Sequence, residues 1–531
     1  MTPEQETARL RVVHNARMTR NEPSGAGLGC WSFKRAAFTR IPLISAAIAV
    51  LLLSPLSEAK QNWIEVRSPH FLVVTNAGEK RGRDTALHLE RIRAFFQQSL
   101  AVAAHHPSPF VTVLAVKDGQ TMREVLEQYW GERQPHIAGV FAQRLDQYFA
   151  VVELDTQRAG YYETFYHEYY HSITVPAFPD LPVWLAEGLA EFYGRTDIGD
   201  DYVGTGRPDR DLLDVLRQTK LIPLDVLFRV DHSSPYYNEA NKMSIFYAES
   251  WLATHYMMIG NPEAHKLLVK YLEALGQGKS WSEATAAFGD LKNLQADLSA
   301  YLRQKKFLYL NSSPPKVDLG EFKIRTLSEA EGEAYLGGIS AGLGYTQQAL
   351  RTLTRAVKLD PNLSLAYEYL GMAQFLDGQQ SKAFESASHA VGLDPNNPSA
   401  RYLRAFCATN GLAMLSANAQ VEEDLRQAII LSPEFYPAYA LLGLYLALQA
   451  HRSEEGLSLV KQALSLDPSN SSNQLILARV LFQMKRYDEA RAAATRAKAL
   501  ARDQGERLQV QNFNALFDQK QPTNQGSSHA N

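Results

Sequence analysis

The feature that most constrains the fold of this 531-residue chain is a short phrase that occurs four times in its C-terminal half. Each copy ends a run of small and apolar residues with Leu, then Asp or Ser, then Pro, and the four prolines are Pro361, Pro395, Pro433 and Pro468. Their spacings are 34, 38 and 35 residues. A period of this length indicates units that bury their apolar faces only against neighbouring units, so the region is predicted to fold as one stack.

Small residues recur inside these units where two paired helices would touch: Gly337 and Gly371 in the first helix, and Ala349, Ala383 and Ala490 in the second. With the period near 34 residues, the pattern resembles the tetratricopeptide repeats over 330–504, which is about five units. It departs from the family pattern at 400–425 and near Gly443. The resemblance implies an all-α solenoid whose concave face binds a protein or peptide partner, and a spacer without a ligand is the alternative.

A second feature is the stretch Tyr166–His171, which reads Tyr-His-Glu-Tyr-Tyr-His. His167 and His171 are four residues apart, so a helix places both imidazoles on one face. Zinc binds imidazole nitrogen well, and two such ligands one turn apart form half of a tetrahedral site. Glu168 lies beside them, where it is placed to take a proton from a zinc-bound water rather than to bind the metal. The alternative is a chance pattern on an amphipathic helix.

A downstream stretch offers the third ligand. Leu181–Tyr193 has a helix-like pattern after a turn signal at Pro179–Asp180, and it places Glu187 sixteen positions after His171. This spacing leaves room to finish one helix, turn, and lay a second helix beside it. Two His and one Glu, with one position left open, is a known ligand set for catalytic zinc.

Together, the two motifs resemble the gluzincin zinc peptidases, and within them the bacterial peptidase MA-like group, over residues 60–306. The resemblance implies one Zn²⁺ ion and these roles: His167, His171 and Glu187 as ligands, Glu168 as general base, and Glu191 as a carboxylate that orients a ligand His through its other ring nitrogen. A solvated helix face is the alternative for Glu191. A purely structural zinc site is disfavoured because such sites are closed and usually rich in Cys. Other divalent ions bind similar ligand sets.

The same resemblance implies a tyrosine whose hydroxyl steadies the oxyanion of the tetrahedral intermediate. Its place would be a later helix, which the stretch Phe246–Leu252 matches best, so Tyr247 is the candidate. Tyr236 and Tyr237, in the loop-like segment Ser233–Asn238, are alternatives, and an ordinary core position for Tyr247 is another. The Gly-x-Met-Glu-Asn stretch of the related aminopeptidases is absent from the sequence, which favours an endopeptidase.

Near the N-terminus, basic residues lead into the apolar run Ile41–Leu53. Its 13 residues are too few for an ordinary membrane-spanning helix, which needs about 20. They fit the core of a signal peptide, and Ser57–Ala59 supplies the small residues that a signal peptidase reads. An uncleaved membrane anchor and a buried helix are the alternatives. Residues 1–59 are therefore interpreted as a leader that exports the protein to the periplasm or the cell exterior.

The composition of the chain limits the classes of partner that we expect. The formal net charge is −3 and the pI is about 6.6, so no whole-chain basic field points to nucleic acid or to acidic lipid. The two cysteines, Cys30 and Cys407, fall in different segments and suggest no disulfide framework. A membrane contact is expected only through an uncleaved N-terminal anchor.

Strand and helix patterns divide the rest of the chain. β-rich or alternating runs predict strands within these segments: 63–76, 110–116, 137–143 and 148–154. Apolar spacing of helical period predicts helices at 80–104, 209–221, 262–275 and 293–307. An edge strand next to the histidine helix would let an extended substrate pair with it, and an ordinary hairpin is the alternative. The polar, Pro-containing stretch Asn311–Lys316 indicates a domain boundary.

These patterns predict an α+β zincin-like metallopeptidase domain (60–310), a linker (311–329), an all-α tetratricopeptide-repeat solenoid (330–504), and a terminal helix end with a disordered tail (505–531). The predicted function is an exported zinc-dependent peptidase, acting on a peptide or protein substrate, whose repeats bind protein. The alternative is a non-catalytic adaptor in which the repeats bind partners and the front domain is a scaffold. An adaptor should tolerate Glu168→Gln, and a peptidase should not.

Overall fold

A computed structural model describes these residues: 62–99, 111–126, 139–144, 147–154, 162–178, 180–232, 234–238, 240–317, 322–409, 419–501 and 504–520. The predicted leader at 1–59, with its apolar run and small-residue triplet, lies outside them, and so does the predicted tail beyond Lys520. We call residues 62–326 the front region and residues 329–520 the repeat region. Within the described residues, no helix is long and apolar enough to cross a membrane.

The described strands of the front region form two sheets. The strands are β1 (Ile64–Arg67), β2 (Phe71–Thr75), β3 (Val111–Val116), β4 (Gly139–Arg144), β5 (Gln147–Glu153), β6 (Asp197–Ile198), β7 (Val203–Thr205), β8 (Leu310–Ser312) and β9 (Lys323–Thr326). The larger sheet has the order β4-β5-β3-β2-β1-β9, and the smaller has the order β6-β7-β8. In the larger sheet, β2, β3 and β5 are parallel neighbours, and the remaining pairs are antiparallel.

The central strands are apolar at nearly every position, which determines how the larger sheet must be covered. In β2, Phe71 and Val73 belong to one buried cluster, and Leu72 and Val74 belong to a second cluster on the opposite face. Successive side chains of a strand point to opposite faces of the sheet. A strand that is apolar at nearly every position, such as β3, therefore needs packing layers on both sides.

Helices of the front region provide the first layer. They are α1 (Glu79–Ser99), α2 (Gly119–Val125), α3 (Glu163–Ala177), α4 (Val183–Gly194), α5 (Arg210–Gln218), α6 (Leu224–Leu227), α7 (Pro235–Asn238), α8 (Ala240–His255), α9 (Pro262–Gly276), α10 (Trp281–Ala284) and α11 (Leu291–Leu302). α1 and α3 share a buried cluster with the face of the sheet that carries Phe71 and Val73. The later helices pack behind α4 and continue the same core.

Helices of the repeat region provide the second layer. They are α12 (Glu329–Gly342), α13 (Thr346–Leu359), α14 (Ser364–Leu376), α15 (Gln380–Leu393), α16 (Pro398–Ala408), α17 (Ala419–Leu431), α18 (Tyr436–Ala447), α19 (Ser453–Leu466), α20 (Ser471–Gln483), α21 (Tyr487–Leu500) and α22 (Gln504–Lys520). α12 and α14 share a cluster with the face that carries Leu72 and Val74. The rings of Phe149 in β5 and Tyr369 in α14 are 6.1 Å apart. The first helices of the solenoid therefore pack directly on the larger sheet.

The two departures from the repeat pattern have different outcomes. At 400–425, α16 and α17 are still formed, and residues 410–418 between them lie outside the described residues. Gly443, which is one residue out of phase, lies where α18 meets α19. A Cβ at this position would stand 2.7 Å from the carbonyl oxygen of Gly456, so only glycine allows the two backbones to approach this closely. Packing thus accommodates the shift in phase.

Strand pairing corrects the prediction that 311–329 is simply a linker. β8 begins at Leu310 and pairs with β7, and β9 pairs with β1 along its whole length. Arg325 in β9 donates a 2.7 Å hydrogen bond to Glu65, which also accepts a 2.9 Å bond from the hydroxyl of Tyr335 in α12. The prolines at 314–315 interrupt regular structure only locally, because the backbone groups of β1 and β7 still need partners. Both ends of the segment are thus tied to the front region.

The remaining segment predictions differ from the structure mainly at their ends. The helices predicted at 80–104, 209–221, 262–275 and 293–307 correspond to α1, α5, α9 and α11. The last of these ends at Leu302 instead of Phe307, and residues 100–104 lie outside the described residues. Ser233–Asn238, predicted as loop-like, contains the short helix α7, which starts at Pro235, a residue suited to a first helical position.

Candidate metal centre

α3 is buried on nearly all sides, and its aromatic residues determine which way its histidines face. The rings of Phe165 and Tyr169 pack against Phe71 of β2, at centroid distances of 6.2 and 5.3 Å. These residues fix one side of the helix against the sheet. His167 and His171, one turn apart, then lie together on the side that faces α4, where both are buried.

α4 brings the third candidate ligand to this face. A Cβ at Gly194 would stand 3.3 Å from the backbone nitrogen of His167, so the end of α4 lies directly against α3. This close approach places Glu187, earlier in the same 12-residue helix, opposite the two histidines. Over the sixteen residues from His171 to Glu187, one helix ends, the chain turns, and a second helix returns beside the first.

Three side-chain atoms converge at one point. The Oε2 atom of Glu187 lies 3.1 Å from Nε2 of His171 and 3.3 Å from Nε2 of His167. The two Nε2 atoms are 3.2 Å apart. Ligands at about 2.0–2.1 Å from a tetrahedral zinc ion are separated by about 3.3 Å, so the three donors have the spacing of one face of such a site. Among the described residues, this is the group of His, Cys, Asp and Glu side chains that could hold a metal ion.

The protonation states at this point also suit a cation. Burial lowers the pKa of His171, which favours its neutral form, the form that binds metal. Burial would raise the pKa of Glu187, but the neighbouring His171 and His167 outweigh it and hold that pKa well below its ordinary value. A carboxylate and neutral imidazole at one buried point form a ligand set with net negative charge. Glu168, the next residue after His167, is also buried but is not among the three converging donors.

Glu191 lies behind His167, where sequence analysis expected an orienting carboxylate. Its Oε1 atom is 3.3 Å from Nδ1 of His167, the ring nitrogen that faces away from the other donors. Its other carboxylate oxygen accepts a hydrogen bond from Arg195, one turn later in the chain. Glu163, at the start of α3, extends this charged group, and burial raises its pKa to about 7 although Arg195 is near. Glu191 thus links His167 to the neighbouring side chains of Arg195 and Glu163.

Tyr237 and Tyr247 lie beside the candidate ligands. The hydroxyl of Tyr237, in α7, is 3.4 Å from Oε1 of Glu187. The ring of Tyr247, in α8, lies 6.1 Å from the ring of His167 and 6.4 Å from the ring of Tyr237. Tyr247 therefore lies next to the site, and the hydroxyl of Tyr237, the alternative, contacts a candidate ligand directly.

Gly188 is a site residue whose role the sequence analysis missed. A Cβ at this position would stand 2.1 Å from Oγ1 of Thr254 and 2.4 Å from the carbonyl oxygen of Ser250, both in α8. Glycine therefore allows α4, which carries Glu187, to touch α8, which carries Tyr247. The available signal was the glycine directly after the predicted ligand, in the Trp-Leu-Ala-Glu-Gly phrase.

Comparisons with protein families give separate matches in the front region and in the repeat region. Residues 163–280 match a family described as a protein of unknown function (DUF1570), and this match contains α3, α4 and both tyrosine-bearing helices. Residues 342–398 and 447–511 match tetratricopeptide-repeat families. No curated protein matches the chain. The C-terminal region is thus a helical solenoid of tetratricopeptide repeats.

The chain also resembles solved structures over about a third of its length. They include a thermophilic tetratricopeptide-repeat protein, TTC0263, from Thermus thermophilus, at 23% identity, covering 35% of this chain and 98% of that chain, with a TM-score of 0.30. YrrB, described as having an unusual peptide-binding site, is 16% identical over 35% of this chain and 92% of its own, with a TM-score of 0.28. MamA is 20% identical over 34% and 96%, with a TM-score of 0.26. At these TM-scores the assignment of the repeats depends on the family matches.

Proposed function

We propose that this chain is a zinc-dependent peptidase whose tetratricopeptide repeats bind protein or peptide. The observation that carries the proposal is the convergence of three donor atoms, from His167, His171 and Glu187, at separations of 3.1–3.3 Å. The ligand set matches the resemblance to gluzincin zinc peptidases, and Glu168 follows the first histidine, as a general base in that arrangement does.

In this proposal, Glu168 and Glu191 have different roles beside the metal ligands. A bound zinc ion would polarise the substrate carbonyl and acidify water. Glu168 accepts the proton of the attacking water and returns it to the leaving amine. Glu191 holds the imidazole of His167 through Nδ1, which fixes the tautomer and leaves Nε2 for the metal. The buried surroundings of all these groups strengthen their electrostatic interactions.

A tyrosine completes the proposed site by stabilising the oxyanion. We assign this role to Tyr237, because its hydroxyl already lies 3.4 Å from Glu187, and keep Tyr247 as the alternative. A hydroxyl at this place donates a hydrogen bond to the oxygen that becomes negative when the carbonyl is attacked. The hydroxyl has a larger effect in the transition state than in the ground state, so its loss should reduce kcat more than it changes KM.

The sheet offers a place for an extended substrate. Among the described strands, β4 is at one edge of the larger sheet. It packs beside α3, the helix that carries the histidines. A peptide that adds to the outer edge of β4 would gain backbone hydrogen bonds and would run past the metal ligands. An endopeptidase needs an open groove of this kind, since its substrate continues on both sides of the bond that is cut.

The alternative function is a non-catalytic adaptor. What favours it is the repeat assignment itself, because tetratricopeptide repeats generally bind proteins or peptides through a continuous surface, whether or not a neighbouring region is an enzyme. In that case the front region would be a scaffold. Export to the periplasm or the cell exterior remains part of our proposal and depends on the apolar run Ile41–Leu53.

The experiment that tests the proposal compares the full chain with its Glu168→Gln variant. Bound zinc is measured in both, and both are incubated with an unfolded protein such as casein. The peptidase proposal expects about one zinc per chain in each protein and cleavage by the wild type alone, with a chelator stopping the reaction. Glu79→Gln, an exposed change outside the candidate site, is the control and should cut like the wild type.

Other outcomes distinguish the two functions. Zinc in both proteins with cleavage by neither, together with retained partner binding by the repeats, would favour the adaptor. Equal cleavage by wild type and Glu168→Gln would reject Glu168 as the general base. Chains without zinc would reject the metal site altogether.

A further inference from the structure

A cleft beside the metal ligands is closed on one side by the far end of the solenoid. It contains about 600 Å³ of empty space, with the open solvent at its mouth included. His171 and Glu187 form one wall. Ala499 and Leu500, the last residues of α21, form part of the opposite wall. The repeat region thus touches the front region at both of its ends: α12 and α14 on the sheet, and α21 at the cleft.

Leu500 lines the cleft and is only 6% exposed. The other lining residues include apolar residues of α3 and of the turn before α4, among them Val175, Phe178 and Leu181.

An ion pair ties this end of the solenoid to the same turn. Both terminal nitrogens of Arg496 donate to the carboxylate of Asp180, with the Nη2 bond at 3.0 Å. The carbonyl oxygen of Asp180 also accepts a 2.8 Å hydrogen bond from the indole nitrogen of Trp281. The turn joins the two helices that carry the candidate ligands, so its position and that of Leu500 are set together.

We propose that this cleft is a specificity pocket that takes a large apolar side chain of the substrate, next to the bond that is cut, and that Leu500 of the last repeat forms its outer wall. The inference rests on the proposed peptidase function. The lining is mostly apolar, with Thr174 and His232 as the polar members besides the ligands. An apolar side chain gains by leaving water for such a lining, whereas a charged one would lose hydration without a partner. The solenoid is then part of the substrate site.

Variants of Leu500 in the full chain test this assignment. Leu500→Trp fills the pocket and Leu500→Ala widens it. Leu508→Trp and Leu508→Ala are matched controls, because Leu508 is an exposed leucine of α22 that does not line the cleft. A mixture of peptides is digested, and the cut bonds are mapped by mass spectrometry. Losing one or two methylenes of apolar contact changes selectivity by about 10–200-fold, so shifts of that size are expected.

The expected result has a definite direction. The wild type and both Leu508 variants cut beside large apolar residues, Leu500→Trp cuts at least tenfold less beside them relative to small residues, and Leu500→Ala accepts larger residues than the wild type does. Cleavage by the wild type with the same profile in both Leu500 variants overturns the pocket assignment and leaves the peptidase proposal standing. Zinc content and circular dichroism establish that each variant is folded.

A binding measurement separates the pocket from turnover. In the Glu168→Gln background, two labelled peptides that differ by Leu or Ala at one central position are titrated, and anisotropy is recorded. The pocket assignment expects the Leu peptide to bind at least tenfold tighter, and expects Leu500→Trp but not Leu508→Trp to remove the difference. This result without any cleavage by the wild type would reject the peptidase function and keep the pocket. Equal binding of the two peptides overturns the pocket.

Discussion

Glu191 is the residue that links the candidate ligands to the charges behind them. It contacts Nδ1 of His167 at 3.3 Å with one oxygen and Arg195 with the other. A carboxylate in this position makes the imidazole a better ligand, because it fixes the tautomer and raises the electron density on Nε2. It also pairs with the guanidinium of Arg195, which lies near the further carboxylates of Glu163, Asp209 and Asp211.

We expect Glu191→Gln to weaken zinc binding by about 10–100-fold, the usual cost of losing a partner behind a ligand histidine. Competition with a zinc chelator measures the change. Glu79→Gln is the matched control, because Glu79 also pairs with an arginine four residues later, but at the exposed start of α1. Equal zinc affinity for the two variants would assign Glu191 to the ion pair with Arg195 alone.

Tyr237 and Tyr247 can be distinguished by removing one oxygen from each. We expect Tyr237→Phe to lower kcat by about 10²–10³ with little change in KM, as for loss of one donor to an oxyanion. Tyr247→Phe should have a smaller effect, because the 6.1 Å contact with His167 is made by the ring, which the variant keeps. Steady-state kinetics on one peptide substrate gives both values. The reverse order would favour Tyr247, the residue that the sequence pattern indicated.

Glu249, in the middle of α8, should make the stability of the fold depend on pH. Burial raises the pKa of Glu249 to about 8, which outweighs the hydrogen bond that its carboxylate accepts from the amide of Ile222. Between pH 4.5 and about 8, the unfolded chain ionises this group and the folded chain keeps it neutral. Stability is therefore lost as pH rises through this window, by at most about 1.4 kcal/mol per pH unit.

The Glu249→Gln variant isolates this contribution. Its free energy of unfolding should increase relative to that of the wild type from about pH 5 to about pH 8, because only the wild type loses stability in this range, and the difference should then level off. Denaturant unfolding at several pH values gives the difference. A difference that stays constant over this range would mean that Glu249 is ionised in the folded protein.

At the scale of elements, the cleft depends on how closely α4 lies against its two neighbours. Gly194 brings α4 to α3, and Gly188 brings it to α8. Both glycines lie within or at the end of a helix, where glycine is less favourable than alanine by about 0.5–1 kcal/mol. They allow close packing, which holds the two helices that carry the candidate ligands against each other and holds α4 against α8.

We expect Gly188→Ala to destabilise the protein by about 1–3 kcal/mol or more, because the added methyl group would meet backbone atoms of α8 that cannot move aside. It should also reduce zinc binding, since Glu187 moves with the helix. Gly276→Ala, at the end of α9, is the control: a Cβ there meets nothing within 4 Å. Thermal unfolding and zinc titration compare the two. Similar behaviour of both variants would contradict the packing role of Gly188.

At the scale of the whole molecule, the larger sheet is packed on both faces, by the front region on one side and by the repeat region on the other. One face is covered by α1 and α3, and the other by the first repeats. Gly342 of α12 is in contact with the ring of Phe149 in β5: a Cβ at Gly342 would stand 2.5 Å from that ring. The front region and the solenoid therefore depend on each other for burial.

A chain that ends at Leu310 should therefore fail to fold as a soluble monomer, because it leaves one apolar face of the sheet uncovered and lacks β9. A chain that ends at Thr409 keeps α12–α16 and should remain soluble, although it lacks the wall at Leu500. Light scattering and circular dichroism compare the two truncations. A soluble, folded chain ending at Leu310 would show that the front region is independent of the repeats.

Local patterns were enough to predict most of the elements. The strands β1–β5 and the longer helices of the front region occur close to the predicted places, because alternation and helical spacing depend on residues that are neighbours along the chain. The short strands β6–β9 were not predicted. The ends were less accurate, as at Phe307, and α7 was missed because four residues carry no periodicity. The segment 311–329 was predicted from its prolines, and these do not reveal that its two ends pair with β7 and β1.

By itself, the sequence determined that the second half is a stack of helical units and that His167 and His171 share a face with Glu168 between them, because each depends on spacings within a few turns of chain. Only the tertiary structure decided that the solenoid covers the sheet, that Tyr237 reaches Glu187, and that Arg496 meets Asp180 across 316 residues. Contacts between such distant parts follow from how all the apolar faces of the chain are buried at once, which no local pattern encodes.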